Sequence, residues 1–239
     1  MNTNLITHPS EPTWDKPLSV ATLIFPGITA IDYIGPATVL GFFSNIDLCW
    51  KDLSPIPSDI GLPIMPTMTF EECTGKYDIL LVPGGGGIGG VLDDPEILEF
   101  LRRVAKRSDY VTSVCNGSLF LAAAGLLDGY KSATYWAVYE ILESFGVTGV
   151  RQRVVEDRNR ISGGGMTAGI DFGLTLLAKL RGEKAAKLAQ LLIEYNPAPP
   201  FSCGSPDQSE PAILELAGDV TQGLAQSIIN GAERSKKLR

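Results

Sequence analysis

Apolar positions in this chain gather in short unbroken runs instead of alternating with polar ones, a pattern that marks strands buried on both faces. Val20 to Phe25 is the first run, closed by Pro26-Gly27, and Ile46 to Lys51 is the second. Asp78 to Val82 empties into Pro83 and a glycine loop, and Val111 to Val114 stops at a cysteine. Between these runs the spacing changes to helical. Ile31 to Phe43 reads as a helix entered through Asp32, and Asp94-Pro95-Glu96 gives an N-cap with proline at the first helical position of a helix to about Lys106. A short β excursion is expected over Ile60 to Met65 and Met68 to Phe70, and a β pair over Val150 to Glu156 and Arg160 to Ser162. Helices are expected up to Gly125 and Phe145, over Thr167 to Leu180 and Lys184 to Glu194, and from Glu210 to Lys236. Alternation of this kind predicts one parallel sheet covered on both faces, in a single domain over 17–239 behind a flexible leader over 1–16.

The chemistry concentrates at Cys115. A β-branched run reaches it and a small-residue helix, Asn-Gly-Ser-Leu-Phe-Leu-Ala-Ala-Ala, follows at once. This is the pattern of a nucleophile elbow, in which a tight strand-to-helix turn pushes its side chain out at the carboxyl edge of the sheet. Free N–H groups of the following helix favour a thiolate there. The same sequence also suits an unreactive cysteine buried at a βα junction.

Ligands of open parallel sheets bind beyond the carboxyl ends of the strands. Three segments meet that description: the Pro26 to Pro36 turn with Asp32, the glycine loop after Val82, and the elbow. Gly85 to Gly90 formally satisfies GxGxxG, but Asp93 and Asp94 stand where a pyrophosphate would approach, so the glycines read better as backbone donors beside the elbow. Asp32 reads either as a helix cap or as an acid in that crevice.

Composition narrows the choice. A net charge of -7 argues against nucleic acid, and the basic run Arg234 to Arg239 reads as a solvated end. No apolar stretch reaches the length of a membrane span. Four dispersed cysteines suggest neither a disulfide framework nor zinc and fit a reducing cytoplasm, with Cys49 and Cys73 expected to be inert and Cys203 undecided. His8, the single histidine, lies in the leader, so a histidine dyad, triad or metal centre is not expected and any chemistry at Cys115 must use a carboxylate, backbone or water. No cofactor is expected.

Val114-Cys115-Asn116-Gly117-Ser118, Val82-Pro83-Gly84-Gly85, Phe25-Pro26-Gly27 with Asp32 and Gly35-Pro36, Ala133 to Ala137, Gly163 to Asp171 and Glu194 to Phe201 together resemble the ThiJ/PfpI superfamily, and within it the isonitrile hydratase branch. The resemblance spans about Val20 to Asp207. It implies a flavodoxin-like three-layer α/β sandwich with a mostly parallel central sheet, related to class I glutamine amidotransferases, assembled as a homodimer. It also implies Cys115 as nucleophile and Asp32 as its acidic partner. Two positions depart from the branch: Asn116 stands where threonine is common, and Tyr135 where a His-Trp pair is usual.

These residues can support addition of water to an isocyanide through a Cys115 thioimidate, with Asp32 as acid and then base and with the two groups sharing a proton. Asn116 and the N–H groups of Gly84, Gly85 and Gly86 are expected to hold the thiolate, the water or the tetrahedral intermediate. Tyr33, Ile34, Tyr135, Trp136, Thr167 and Phe201 are expected to line an apolar pocket for a small apolar substrate, and Asp171 to be a structural anchor. Two alternatives stay open. One is a related Cys/Asp enzyme adding, cyclising or hydrolysing a biosynthetic intermediate; the other is a non-enzymatic ligand or redox sensor.

Overall fold

The computed structural model describes Trp14 and residues 16–238. Its elements run β1 (Leu18–Leu23), α1 (Ala30–Leu40), β2 (Ser44–Trp50), β3 (Ile56–Pro57), β4 (Pro63–Ile64), β5 (Met68–Thr69), β6 (Tyr77–Val82), α2 (Ile88–Val91) and α3 (Pro95–Ala105). They continue with β7 (Ser108–Val114), α4 (Ser118–Ala123), β8 (Lys131–Ser132), α5 (Tyr139–Glu143), β9 (Thr148–Gly149), β10 (Val154–Asp157) and β11 (Arg160–Gly163). Three helices close the chain: α6 (Ala168–Arg181), α7 (Glu183–Leu192) and α8 (Pro211–Lys236).

Seven strands form the central sheet in the order β10-β11-β7-β6-β1-β2-β5. Every neighbouring pair in it is parallel except the β10–β11 hairpin, so the sheet is mostly parallel, with one antiparallel edge strand. The period-2 alternation of a strand divides its buried residues between two cores. Val20, Ile79, Leu81, Val114 and Ile161 pack with residues of α1, α6 and α7, whereas Ala21, Leu23, Leu80, Val82 and Val111 pack with residues of α3, α4 and α5. The result is three layers.

Local sequence explains the ends of these elements. Asp94 caps α3 as expected, its Oδ1 accepting from the Glu96 and Ile97 N–H groups at 3.0 and 3.3 Å. Asp32 does not cap α1. Thr29 occupies the cap position and Asp59 Oδ1 accepts from Ala30 N–H at 3.1 Å, which leaves the Asp32 carboxyl available to the interior. Arg234 is no solvated end: it grips Asp93 with two hydrogen bonds of 2.8 and 2.9 Å, tying the last turns of α8 to the loop before α3.

His8 and most of the leader lie outside the described residues. Trp14, expected to be flexible with the leader, is instead buried. Its indole meets Phe43 edge-on at 5.3 Å, and its Nε1–H donates to the Arg181 carbonyl at 3.2 Å. A large ring with its one donor satisfied gains more from burial than the ordering of a few residues costs. Trp14→Ala is therefore expected to lower unfolding free energy by about 2–4 kcal/mol, measured by urea denaturation; an unchanged midpoint would mean that this anchor contributes nothing.

Candidate active site

β7 ends at Val114 in extended backbone, and Cys115 then adopts φ 59 before the chain turns into α4. A non-glycine residue in the left-handed region is strained and persists only where its surroundings fix it. They do so here. Cys115 N–H donates to the Gly164 carbonyl at 2.7 Å, and its own carbonyl accepts from Thr134 Oγ1 at 3.2 Å. Ser118 Oγ in turn donates to Thr134 Oγ1 at 2.8 Å. Gly117 has no substitute, because a Cβ there would run into the Val82 and Pro83 carbonyls.

Asp32 reaches the elbow from the first turn of α1 and is fully buried. Its Oδ2 accepts from Gly84 N–H at 3.1 Å, and Oδ1 is buried with no hydrogen-bond donor. Burial is the main force on this carboxyl and raises it from 3.8 to about 7; the Cys115 thiol and the Gly84 N–H pull the other way, and the charge of Asp59 adds to the rise. Cys115, 3 % exposed, is pushed up as well. Burial does most of this and the Asp32 charge adds to it, against backbone N–H groups of Asn116 and Met166 that favour the thiolate. Two buried acids acting on one another in this way titrate as a pair, and each holds its proton more tightly than it would in water.

The other expected residues separate into three groups. Asn116 is present at the elbow, but its side chain faces the glycine loop, Oδ1 accepting from Gly85 N–H at 2.7 Å and Nδ2 donating to Gly85 O at 3.3 Å. The N–H groups of Gly84 and Gly85 are thus engaged by Asp32 and Asn116 and position those side chains, in place of the expected role toward an intermediate. Gly86 faces Leu224 of α8. Tyr135, Trp136 and Thr167 do share a cavity of about 430 Å³.

Tyr33, Ile34 and Phe201 do not line that cavity. The buried stripe of α1 contains Asp32, Gly35, Pro36, Val39 and Leu40, and helical periodicity turns Ile34 away from it, 43 % exposed. Tyr33 packs partly buried beside the other core. Phe201, 76 % exposed, projects from the proline-rich loop, and the later part of that loop, Gly204 to Asp207, forms a cavity wall instead.

The cavity surface is more apolar than polar, yet charged side chains share it. Arg151, Gln152, Arg153 and Asp207 line it alongside Tyr135, Trp136, Tyr139 and Met166. Arg151 lies over the Tyr139 ring at 4.3 Å, and Arg153 is paired with Asp171, which is thereby an anchor. Cys115 is not among the lining residues, but Gly164, Met166 and Thr134 are, and each of them also contacts Cys115. Sequence reasoning missed Gly164, Met166 and Thr134 because each acts through backbone or a small hydroxyl. It missed Arg151 and Arg153 because only the path of the chain before β10 brings them to the cavity.

Comparison with known proteins gives a consistent picture. The model of the DJ-1/PfpI family matches residues 18–179. The isonitrile hydratase of Pseudomonas putida is 46% identical over 202 residues, which cover 84% of this chain and 88% of that protein. A ThiJ/PfpI family protein from Pseudomonas syringae superposes with a TM-score of 0.90 at 38% identity, covering 95% of this chain and 97% of the other. The HTH-type transcriptional regulator GbdR of Pseudomonas aeruginosa is 30% identical over 189 residues, 74% of this chain and 51% of the regulator.

Two outcomes follow for Asp32→Asn. Removing the carboxylate charge lets the thiol ionise more readily, so the pH profile of Cys115 alkylation by iodoacetamide is expected to move to lower pH; superimposable profiles would refute the coupling. The raised carboxyl also binds its proton more tightly folded than unfolded, so its contribution to stability declines as pH rises from about 4 towards 7. The melting temperature of Asp32→Asn relative to the unsubstituted protein is accordingly expected to be higher at pH 8 than at pH 4.5.

Proposed function

The chain belongs to the DJ-1/PfpI family, and from that membership we propose that it hydrates isonitriles, R–N≡C, to N-substituted formamides, with Cys115 as nucleophile and Asp32 as acid and base. The observation that carries this reading is the pairing of a buried thiol with a carboxyl raised to about 7, in a chain 46% identical to an isonitrile hydratase. Isonitrile carbon accepts a nucleophile and a proton at the same atom. A thiol and a protonated carboxyl in contact supply both.

The steps then balance without a histidine. Sγ of Cys115 bonds to the terminal carbon as Asp32 delivers the shared proton to that carbon, giving the thioimidate R–N=CH–S–Cys. Asp32, now a carboxylate, takes a proton from water as its oxygen adds to the same carbon, and passes that proton to nitrogen. Collapse of R–NH–CH(OH)–S–Cys releases R–NH–CHO and returns a proton to the Cys115–Asp32 pair. Backbone N–H groups of Asn116 and Met166 steady the sulfur whenever it carries negative charge. Asn116 itself is a positioning residue, because its side chain is spent on Gly85.

Tyr135, Trp136 and Thr167 receive the R group in the cavity beside the elbow. Its charged walls favour a second substrate reading within the same chemistry, a Cys/Asp addition to a polar biosynthetic intermediate. Ile213, Leu216 and Val220 on the first half of α8 are exposed, and a second copy of the chain covering them would make the assembly a homodimer. Its three buried thiols suit a reducing cytoplasm.

The test is formamide production from cyclohexyl and p-nitrophenyl isocyanide. The unsubstituted protein is expected to form product and Cys115→Ala none above the uncatalysed rate; equal rates would remove Cys115 from the reaction. Because the first step needs a protonated carboxyl, kcat/KM is expected to fall as pH rises through about 7. An alkaline limb that persists unshifted in Asp32→Asn would assign that titration to another group.

A further inference from the structure

A pair of thiols lies far from the elbow in the sheet, with the strand order placing it at the β2–β5 edge. Cys49, on β2, and Cys73, after the turn that follows β5, are both buried, and the Cys49 thiol donates to the Cys73 sulfur at 3.9 Å. Neither is used by the chemistry at Cys115. We propose that Cys49 and Cys73 form a redox site of their own, a dithiol that hydrogen peroxide converts to an intramolecular disulfide and that a thiol reductant restores.

Three further observations mark this pair off from inert core cysteines. The Cys73 sulfur lies 3.3 Å from the Tyr77 hydroxyl, which lies 3.4 Å from Asp47 Oδ2, so a path exists for the proton that leaves the thiol. The Arg103 guanidinium donates to the Cys73 carbonyl at 2.7 Å and sets a positive charge beside the sulfur. The Cys49 thiol foremost, then the Tyr77 hydroxyl and the Arg103 charge, bring Cys73 down from 9.0 to about 7 against its burial and the Asp47 charge, while Cys49 is raised, so the two have distinct parts as attacking and resolving thiol. Finally, β5 is an edge strand joined to the sheet by two register pairs only, Cys49 with Met68 and Trp50 with Thr69. Such an edge opens at less cost than the core and admits an oxidant little larger than water.

The electrons balance as follows. The Cys73 thiolate attacks one peroxide oxygen, the O–O bond breaks, and Cys73 becomes a sulfenic acid while the departing hydroxide takes up the thiol's proton as water. Cys49 sulfur then attacks the sulfenic sulfur, and its proton leaves with the hydroxyl as a second water. Two sulfurs lose one electron each and the peroxide is reduced by two.

The full-length protein is treated with hydrogen peroxide under native conditions, blocked with N-ethylmaleimide, unfolded in the presence of the blocking agent and digested with trypsin without reductant. Trypsin cuts after Lys51, between the two cysteines, so the crosslink is seen as two joined peptides lighter by two hydrogens. The expected result is that joined species, abolished by dithiothreitol, together with a higher melting temperature of the oxidised protein from closing a 24-residue separation. In Cys49→Ser, Cys73 is expected to be trapped by dimedone as the sulfenic acid. The proposal is overturned if both cysteines emerge carrying maleimide at a peroxide dose that oxidises free glutathione completely. It is equally overturned if Cys73 is found joined to Cys115 or Cys203, or if the Cys49–Cys73 link forms only when peroxide is added in urea. None of these outcomes depends on the hydratase reading, which Cys115→Ala tests separately.

Discussion

Everything at the carboxyl edge of this sheet answers to one constraint: a carboxyl and a thiol are buried against each other. Neither is a favourable anion where it lies, since burial is the largest force raising both. The fold relieves the conflict by supplying backbone donors, Gly84 N–H to the carboxyl and the N–H groups of Asn116 and Met166 to the sulfur. Those donors come from three separate loops. That is why the glycine loop after β6, the elbow after β7 and the loop after β11 must converge on the segment after β1 that carries Asp32, and why β1, β6, β7 and β11 are successive neighbours in the sheet.

Convergence explains the glycines better than a role as free donors. The glycine loop is stitched to the β1 turn through Thr29 N–H to Gly84 O at 3.0 Å and Gly87 N–H to Gly27 O at 3.0 Å, and to the elbow through Asn116. A Cβ at Gly84 would collide with the Asn116 side chain, and one at Gly85 with the backbone of Gly27 to Thr29. The loop is therefore a spacer that sets the separation of Asp32 and Cys115. Flexibility in it would loosen that separation.

Much of this was legible in the sequence, and the unread part has a common character. Unbroken apolar runs identified the parallel strands, Asp94-Pro95 marked the start of α3, and the abrupt end of Val111–Val114 at Cys115 marked the elbow, because each is a local rule acting on adjacent residues. The resemblance supplied the flavodoxin-like three-layer architecture and the pairing of Asp32 with Cys115, which no local rule contains. What escaped was direction. Ile34 and Phe201 are apolar and close in sequence to the site, yet helix phase and loop path turn them to solvent. Arg151 and Arg153 look like ordinary polar positions of a strand until the segment before β10 brings them to the cavity. Gly164 and Met166 act through backbone atoms, for which side-chain identity is silent.

Asn116 shows how a departure from a family's usual residue can leave the chemistry in place. A hydroxyl beside a thiol can exchange a proton with it, whereas a carboxamide does not do so at neutral pH, and the substitution would seem to remove a participant. Here the carboxamide is turned away from the sulfur, donating and accepting with Gly85 alone. The group at this position that does meet the sulfur is the main-chain N–H, which every residue but proline carries. The side chain at 116 thus governs how closely the glycine loop is held to the elbow, and through Gly84 where the Asp32 carboxyl sits. Proton inventory remains with Asp32 and Cys115, so a change of side chain here is expected to act through distance and not through acidity.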